Sequence, residues 1–151
     1  MSTNNNRHTL RGTLEQAKKL GFNPQTAIDV GAAMGTYELY ETFPKARHIL
    51  IEPLEEFIPH LKNLTSRFAN LDYIIAAATR KAGTATINVH NDLVGSSLYL
   101  ECEDSNVNGV PRRVHAITLD QLCSERKLSG PYLIKVDVQG AELDVLGELR
   151  G

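Results

Sequence analysis

Four apolar runs that lack polar alternation constrain this chain more than any other feature: Thr26–Val30, His48–Glu52, Tyr73–Ala78 and Tyr132–Val138. A strand with one face in solvent alternates polar and apolar residues, whereas a strand buried on both faces does not. Such runs belong in parallel sheets covered by helices on both sides, and helical patterns stand between them here. Thr13-Leu14-Glu15-Gln16 reads as a capping box for a first helix that Gly21 stops. Tyr37, Leu39, Tyr40 and Phe43 mark a second, ending before Pro44. Leu54, Phe57, Ile58, Leu61 and Leu64 recur at helical spacing, with Pro59 kinking or restarting that helix. Residues 119–126 form a short helix, and Gly140 opens a last one through Leu143, Leu146 and Leu149. Strands alternating with helices predict an α/β fold with a mostly parallel sheet flanked by helices.

The middle third has a different texture. Thr84–Val89 alternates, and residues 110–118 are again β-rich, with a polar segment holding Gly95-Ser96-Ser97 and the turn pair Asn108-Gly109 between them. Residues 84–118 are therefore expected to form an antiparallel β insertion or flap. It sits in one domain covering residues 1–151, behind a flexible start at 1–8. The length of 151 residues suits a single domain with a genuine core.

Sixteen Lys+Arg against eighteen Asp+Glu leave a net charge of −2. That balance offers no electrostatic footprint for nucleic acid and no polybasic patch for a membrane. No apolar run approaches the ~18–20 residues of a membrane span, and the polar start Met1–Asn6 lacks the apolar core of a signal peptide. Cys102 and Cys123 match neither a zinc spacing nor a disulfide framework, so a reducing, cytoplasmic setting is expected.

Parallel sheets bind ligands beyond the carboxyl ends of their strands. The residues to examine are thus Asp29 to Gly35, Glu52-Pro53, Ala76 to Thr79 and Asp137 to Gly140. In Asp29-Val30-Gly31-Ala32-Ala33-Met34-Gly35 small residues let the backbone approach a ligand, and the following helix supplies N–H donors. Glu52, 21 residues after Gly31, closes the second run, where an acid accepts hydrogen bonds from both hydroxyls of a ribose. Together they point to nucleoside binding; the plain alternative is a tight turn with a capping Glu. A dinucleotide fingerprint fits poorly, because Ala33 and Thr36 stand where it places its second and third glycines. Asp29 would repel a phosphate, yet it suits a cationic ligand bearing an amino group. S-adenosyl-L-methionine is such a ligand.

Four segments in this order resemble the FkbM-type methyltransferases: residues 28–35, Ile51-Glu52-Pro53, Thr118-Leu119-Asp120-Gln121-Leu122, and Ile134-Lys135-Val136-Asp137-Val138-Gln139-Gly140-Ala141-Glu142. The resemblance runs from about Thr26 to Arg150, and its last segment is the most specific. It implies a class I methyltransferase fold and O-methylation of a sugar or other small hydroxylated acceptor; the charge balance above excludes nucleic acid and membrane as partners. It further implies that Asp29, Gly31, Ala32 and Gly35 line the cofactor's methionine and ribose portions. Glu52 would hold the ribose hydroxyls, Pro53 would shape the adenine side, and Ala77 would lie beside the adenine ring. Asp137 would stand near the transferred methyl, with Lys135 beside it as a catalytic group or its salt-bridge partner. Ser96, Ser97, Gln139 and Glu142 would surround the acceptor. His90 and His115 are alternative bases or, as a pair on neighbouring strands, metal ligands.

Two other readings stand beside this one: a module that binds the cofactor without turnover, and an NAD- or nucleotide-sugar-binding domain. The resemblance also implies a seven-stranded sheet, of which residues up to Gly151 supply four parallel strands. The C-terminal strands are therefore expected to be missing, the fourth strand to form an open edge, and the chain to self-associate there.

Overall fold

A computed structural model describes residues 8–91 and 109–138. The contributions expected of Ser96, Ser97, Gln139, Glu142, Cys102 and the last helix lie outside the described residues.

Four strands build a parallel sheet: β1 (Thr26–Val30), β2 (Arg47–Glu52), β3 (Leu71–Ile75) and β7 (Tyr132–Val136). Their order is β3-β2-β1-β7, so the chain winds outward from β1 and later returns to its other side. All of β1, and all but the first residue of β2, is buried, as an unbroken apolar run requires. Alternate residues then serve two cores. Ala27, Leu50 and Leu71 face one layer together with Leu39, Tyr40, Leu61 and Leu64. Ile28, Val30, Ile49 and Ile51 face another with Leu119 and Leu122. The helices supplying those layers are α1 (Leu10–Lys19), α2 (Tyr37–Thr42) and α3 (Ile58–Arg67) on the first face, and α4 (Leu119–Glu125) on the second.

Helix ends follow local chemistry. The capping-box reading at Thr13 is corrected: α1 starts one turn earlier, where the Thr9 side chain accepts from the Gly12 amide. Thr13 lies inside the helix, and its hydroxyl donates back to the Thr9 carbonyl. Pro59 restarts rather than kinks α3, because it occupies the first turn, where a missing N–H leaves no bond unmade. A single 3-10 turn, Glu55–Phe57, precedes it.

The third apolar run does not form one strand. β3 ends at Ile75, and Ala77–Ala78 (β4) leaves the large sheet to pair in parallel with β6 (Val110–Ile117). β6 also pairs with β5 (Gly83–Val89) in antiparallel register, from Gly83↔Ala116 to Val89↔Val110. The insertion is thus an antiparallel ribbon hydrogen-bonded to the end of the third run. Nothing in six consecutive apolar residues marks where one sheet yields to another.

Leu64 is fully buried in α3, and it is the side chain an added Cβ at Gly35 would meet. Leu64→Ala should lower stability by about 2–5 kcal/mol, read from urea unfolding. A loss below 1 kcal/mol would show that α3 is not packed as described.

Candidate active site

The carboxyl ends of β1, β2 and β7 bring Asp29, Glu52 and Lys135 onto the same sheet face. Asp29 is 1% exposed, yet it carries a carboxylate. Its Oδ1 lies 3.2 Å from Lys135 Nζ, and its Oδ2 accepts from the Tyr40 hydroxyl at 2.6 Å. Register explains the first contact, because Asp29 and Lys135 are direct cross-strand neighbours in the β1–β7 pair. The salt-bridge alternative for Lys135 is thereby sharpened: its nearer partner is Asp29, while Asp137 Oδ2 stands 3.9 Å away. Lys135 is partly open and the Asp137 side chain is 69% exposed, so the pair reaches from the buried carboxylate to the solvent beyond β7.

Tyr40 is fully buried against Tyr37, His48 and Phe68. Burial, and then the charge of Asp29, raise its hydroxyl above the ordinary tyrosine range, so it stays protonated and donates. The same oxygen accepts from the Thr36 amide at 2.9 Å. His48 is a core residue: its ring nitrogen Nε2 sits 2.8 Å from the Phe43 carbonyl, and burial pushes its pKa below the usual value.

Glu52 closes β2 and is also buried. Its Oε2 accepts from the Ala33 amide at 2.8 Å and its Oε1 from the Leu54 amide at 3.0 Å. Burial raises its pKa above the ordinary 4.5, and these two amides pull in the opposite direction. The sequence left two readings for Glu52, a ribose holder or a capping acid in a tight turn; the second is what these contacts show, since Glu52 fastens the turn at Gly31–Gly35 and the turn at Pro53. Ala33 has a φ of +48°, unusual for a residue with a side chain, and in that conformation its amide reaches Glu52.

Gly31 has a φ of +75°, and a Cβ there would strike the carbonyl oxygen of Asp137. The glycine is therefore required by close passage of the β7 end, a reason beyond the approach of a ligand. Gly35 has a φ of +104°, and its amide donates to Ala32. Ala32 is buried and Pro53 half-buried, both beside Glu52 along the rim. Ala77 is buried in β4, opposite Ala116. Arg112 in β6 donates to both oxygens of Glu56, in the 3-10 turn that follows Glu52.

The metal alternative for His90 and His115 fails on register. Val89 faces Val110 and Thr84 faces His115, so the two histidines stand at opposite ends of the ribbon. Six residue steps at ~3.3 Å separate them by roughly 20 Å. Among the described residues no cluster of His, Cys, Asp or Glu is arranged for a metal, and no helix is long and apolar enough to cross a membrane. A depression lined by Gln25, Arg47 and Asp72 lies at the amino-terminal end of the sheet, away from all these groups.

The missed residues are Tyr40, Thr36 and the amides of Ala33 and Leu54. Tyr40 reads as core in the sequence, and only the need of a buried hydroxyl for partners hints otherwise.

A parallel sheet ordered 3-2-1-4 with acids at its first two strand ends defines a mixed α/β domain of the class I methyltransferase type. The model of the methyltransferase FkbM domain matches residues 29–151, and the chain belongs to that family. Among solved structures, methyltransferase FkbM from Methylobacillus flagellatus superposes with a TM-score of 0.53 at 18% identity over 81% of this chain. This chain spans 28% of the length of that protein. No curated protein matches it in a sequence search.

Gly31→Ala should cost about 2–4 kcal/mol, combining a left-handed backbone with overpacking against Asp137. Thermal unfolding that moves by less than 2 °C would contradict the β7 contact.

Proposed function

We propose that this chain is an S-adenosylmethionine-dependent methyltransferase domain that methylates an oxygen of a small hydroxylated or sugar acceptor. Family membership supports methyl transfer, and Glu52 is the observation that carries the cofactor. A ribose diol needs an acceptor with spare lone pairs in a dry place. The Glu52 carboxylate has about four lone-pair sites, of which the backbone amides of Ala33 and Leu54 take two. The small residues Gly31 and Ala32 beside it leave room for backbone approach, so the donor set fits a nucleoside.

In this reading Glu52 holds the two ribose hydroxyls, with Pro53 and Ala77 toward the adenine. Asp29, Gly31, Ala32 and Gly35 shape the methionine side. S-adenosylmethionine supplies, when bound, an electrophilic methyl group on a sulfonium. The protein's task is to align the acceptor oxygen and take its proton. Asp137, exposed at the mouth, accepts that proton, and Lys135 fixes its carboxylate and stabilises charge there. Ser96, Ser97, Gln139 and Glu142 contact the acceptor. The partner is a small molecule in the cytoplasm, and neither nucleic acid nor membrane takes part.

Glu52→Gln removes the charge from two hydrogen bonds of roughly 1.5–3 kcal/mol. Affinity for S-adenosylhomocysteine, measured by calorimetry, should fall at least tenfold. Ribose hydroxyls favour the ionised carboxylate, so wild-type affinity should weaken on acidification through a midpoint above 4.5. Glu52→Gln should flatten that profile. Unchanged affinity and profile would remove Glu52 from the site. Binding without methyl release to any of a panel of sugars and alcohols would favour the non-catalytic module, and binding of NAD instead would favour a dinucleotide domain.

Self-association through β7 belongs to the same proposal. Among the described residues β7 hydrogen-bonds β1 alone, and Tyr132 at its start is 41% exposed. The 151-residue polypeptide should sediment as dimers or larger species at micromolar concentration, and a monodisperse monomer would overturn this.

A further inference from the structure

Resting on the cofactor reading above, we infer that Tyr40 is a positioning residue for the cofactor, acting through Asp29 and the Thr36 amide without touching the ligand. Tyr40 is fully buried, its ring packed among Tyr37, His48 and Phe68 and its hydroxyl engaged by Asp29 and Thr36. That hydroxyl meets Asp29 Oδ2 at 2.6 Å as acceptor and the Thr36 N–H at 2.9 Å as donor, and the Thr36 side chain also interacts with it. Thr36 ends the turn that begins at Gly31, and Asp29 stands two residues before that turn. One oxygen therefore clamps both ends of the loop on which the cofactor would lie.

The clamp has chemical consequences at each end. α2 begins at Thr36 with no side-chain cap, so the Tyr40 oxygen satisfies an amide that is otherwise buried without a partner. At the other end, engaging Oδ2 turns Oδ1 of Asp29 toward Lys135 Nζ. A loop fixed before binding does not lose freedom on binding, and preorganisation of this kind raises affinity without adding a contact. A phenylalanine fills the same space among Tyr37, His48 and Phe68, so the hydroxyl is separable from the packing.

Calorimetric titration of the 151-residue chain with S-adenosylhomocysteine tests this, using Tyr40→Phe, Asp29→Ala, the double variant and Glu52→Gln. Tyr40→Phe should weaken binding about tenfold in the wild-type background and less than twofold beside Asp29→Ala. Equal losses in both backgrounds would make Tyr40 a packing residue and overturn the inference. Unchanged affinity in Tyr40→Phe with a tenfold loss in Glu52→Gln would overturn it while the cofactor reading stands. Absence of binding by the wild type would overturn both. If Tyr40→Phe does not fold, amide exchange in Asp29→Ala decides: faster exchange at Thr36 supports the clamp, and unchanged exchange overturns it.

Discussion

A carboxylate sealed in the centre of a sheet is a constraint to which its surroundings must conform. Asp29 is 1% exposed between two strands, and an uncompensated ion there carries a penalty of several kcal/mol. Compensation comes from two elements far apart in sequence: Lys135 on β7 and Tyr40 on α2. Both fix geometry. A one-residue slip of β7 would turn Lys135 into the apolar layer of Ile28 and Val30 and leave Asp29 unpaired. A rotation of α2 would pull the hydroxyl away and orphan the Thr36 amide. The buried charge thus locks strand register and helix placement.

Glu52 extends this logic to the neighbouring strand. Two acids on one sheet face raise each other's energy, and the charge of Asp29 adds to the burial that pushes Glu52 upward. The answer is backbone: the amides of Ala33 and Leu54 point at its oxygens. Ala33 adopts a left-handed conformation, a penalty of about 1–2 kcal/mol, and its N–H thereby completes the Glu52 shell. The turn is consequently folded around the acid itself.

Much of this was legible in the amino-acid sequence. β1 coincides with the first apolar run, and β2 starts one residue before the second, because Pro and Gly punctuate both runs and neither tolerates solvent. Asp29 and Glu52 stood out as acids at strand ends. The start of α1 was not legible, since Thr9 and Thr13 carry the same side chain and only the backbone decides which one caps. Nor was Tyr40, whose ring satisfies the helical pattern while its hydroxyl serves a residue eleven positions earlier. Local spacing reports faces; it does not report which buried charge a tyrosine completes.

The split of the third run shows how long-range pairing organises the rim of the site. The Ala76 amide still donates to the Glu52 carbonyl, so the chain leaves the large sheet only after passing this acid. Ala77 and Ala78 then hydrogen-bond β6, and alanine suits that step because its small side chain lets two sheets meet without a gap. On the other side of Glu52, Glu56 is held by Arg112 of the same strand. β6 therefore grips the chain on both sides of the acid, through backbone at one point and charge at the other. Backbone bonds to buried alanines resist salt, whereas an ion pair with both partners over a third exposed is screened by it. The firmer of the two attachments is the one the apolar run conceals.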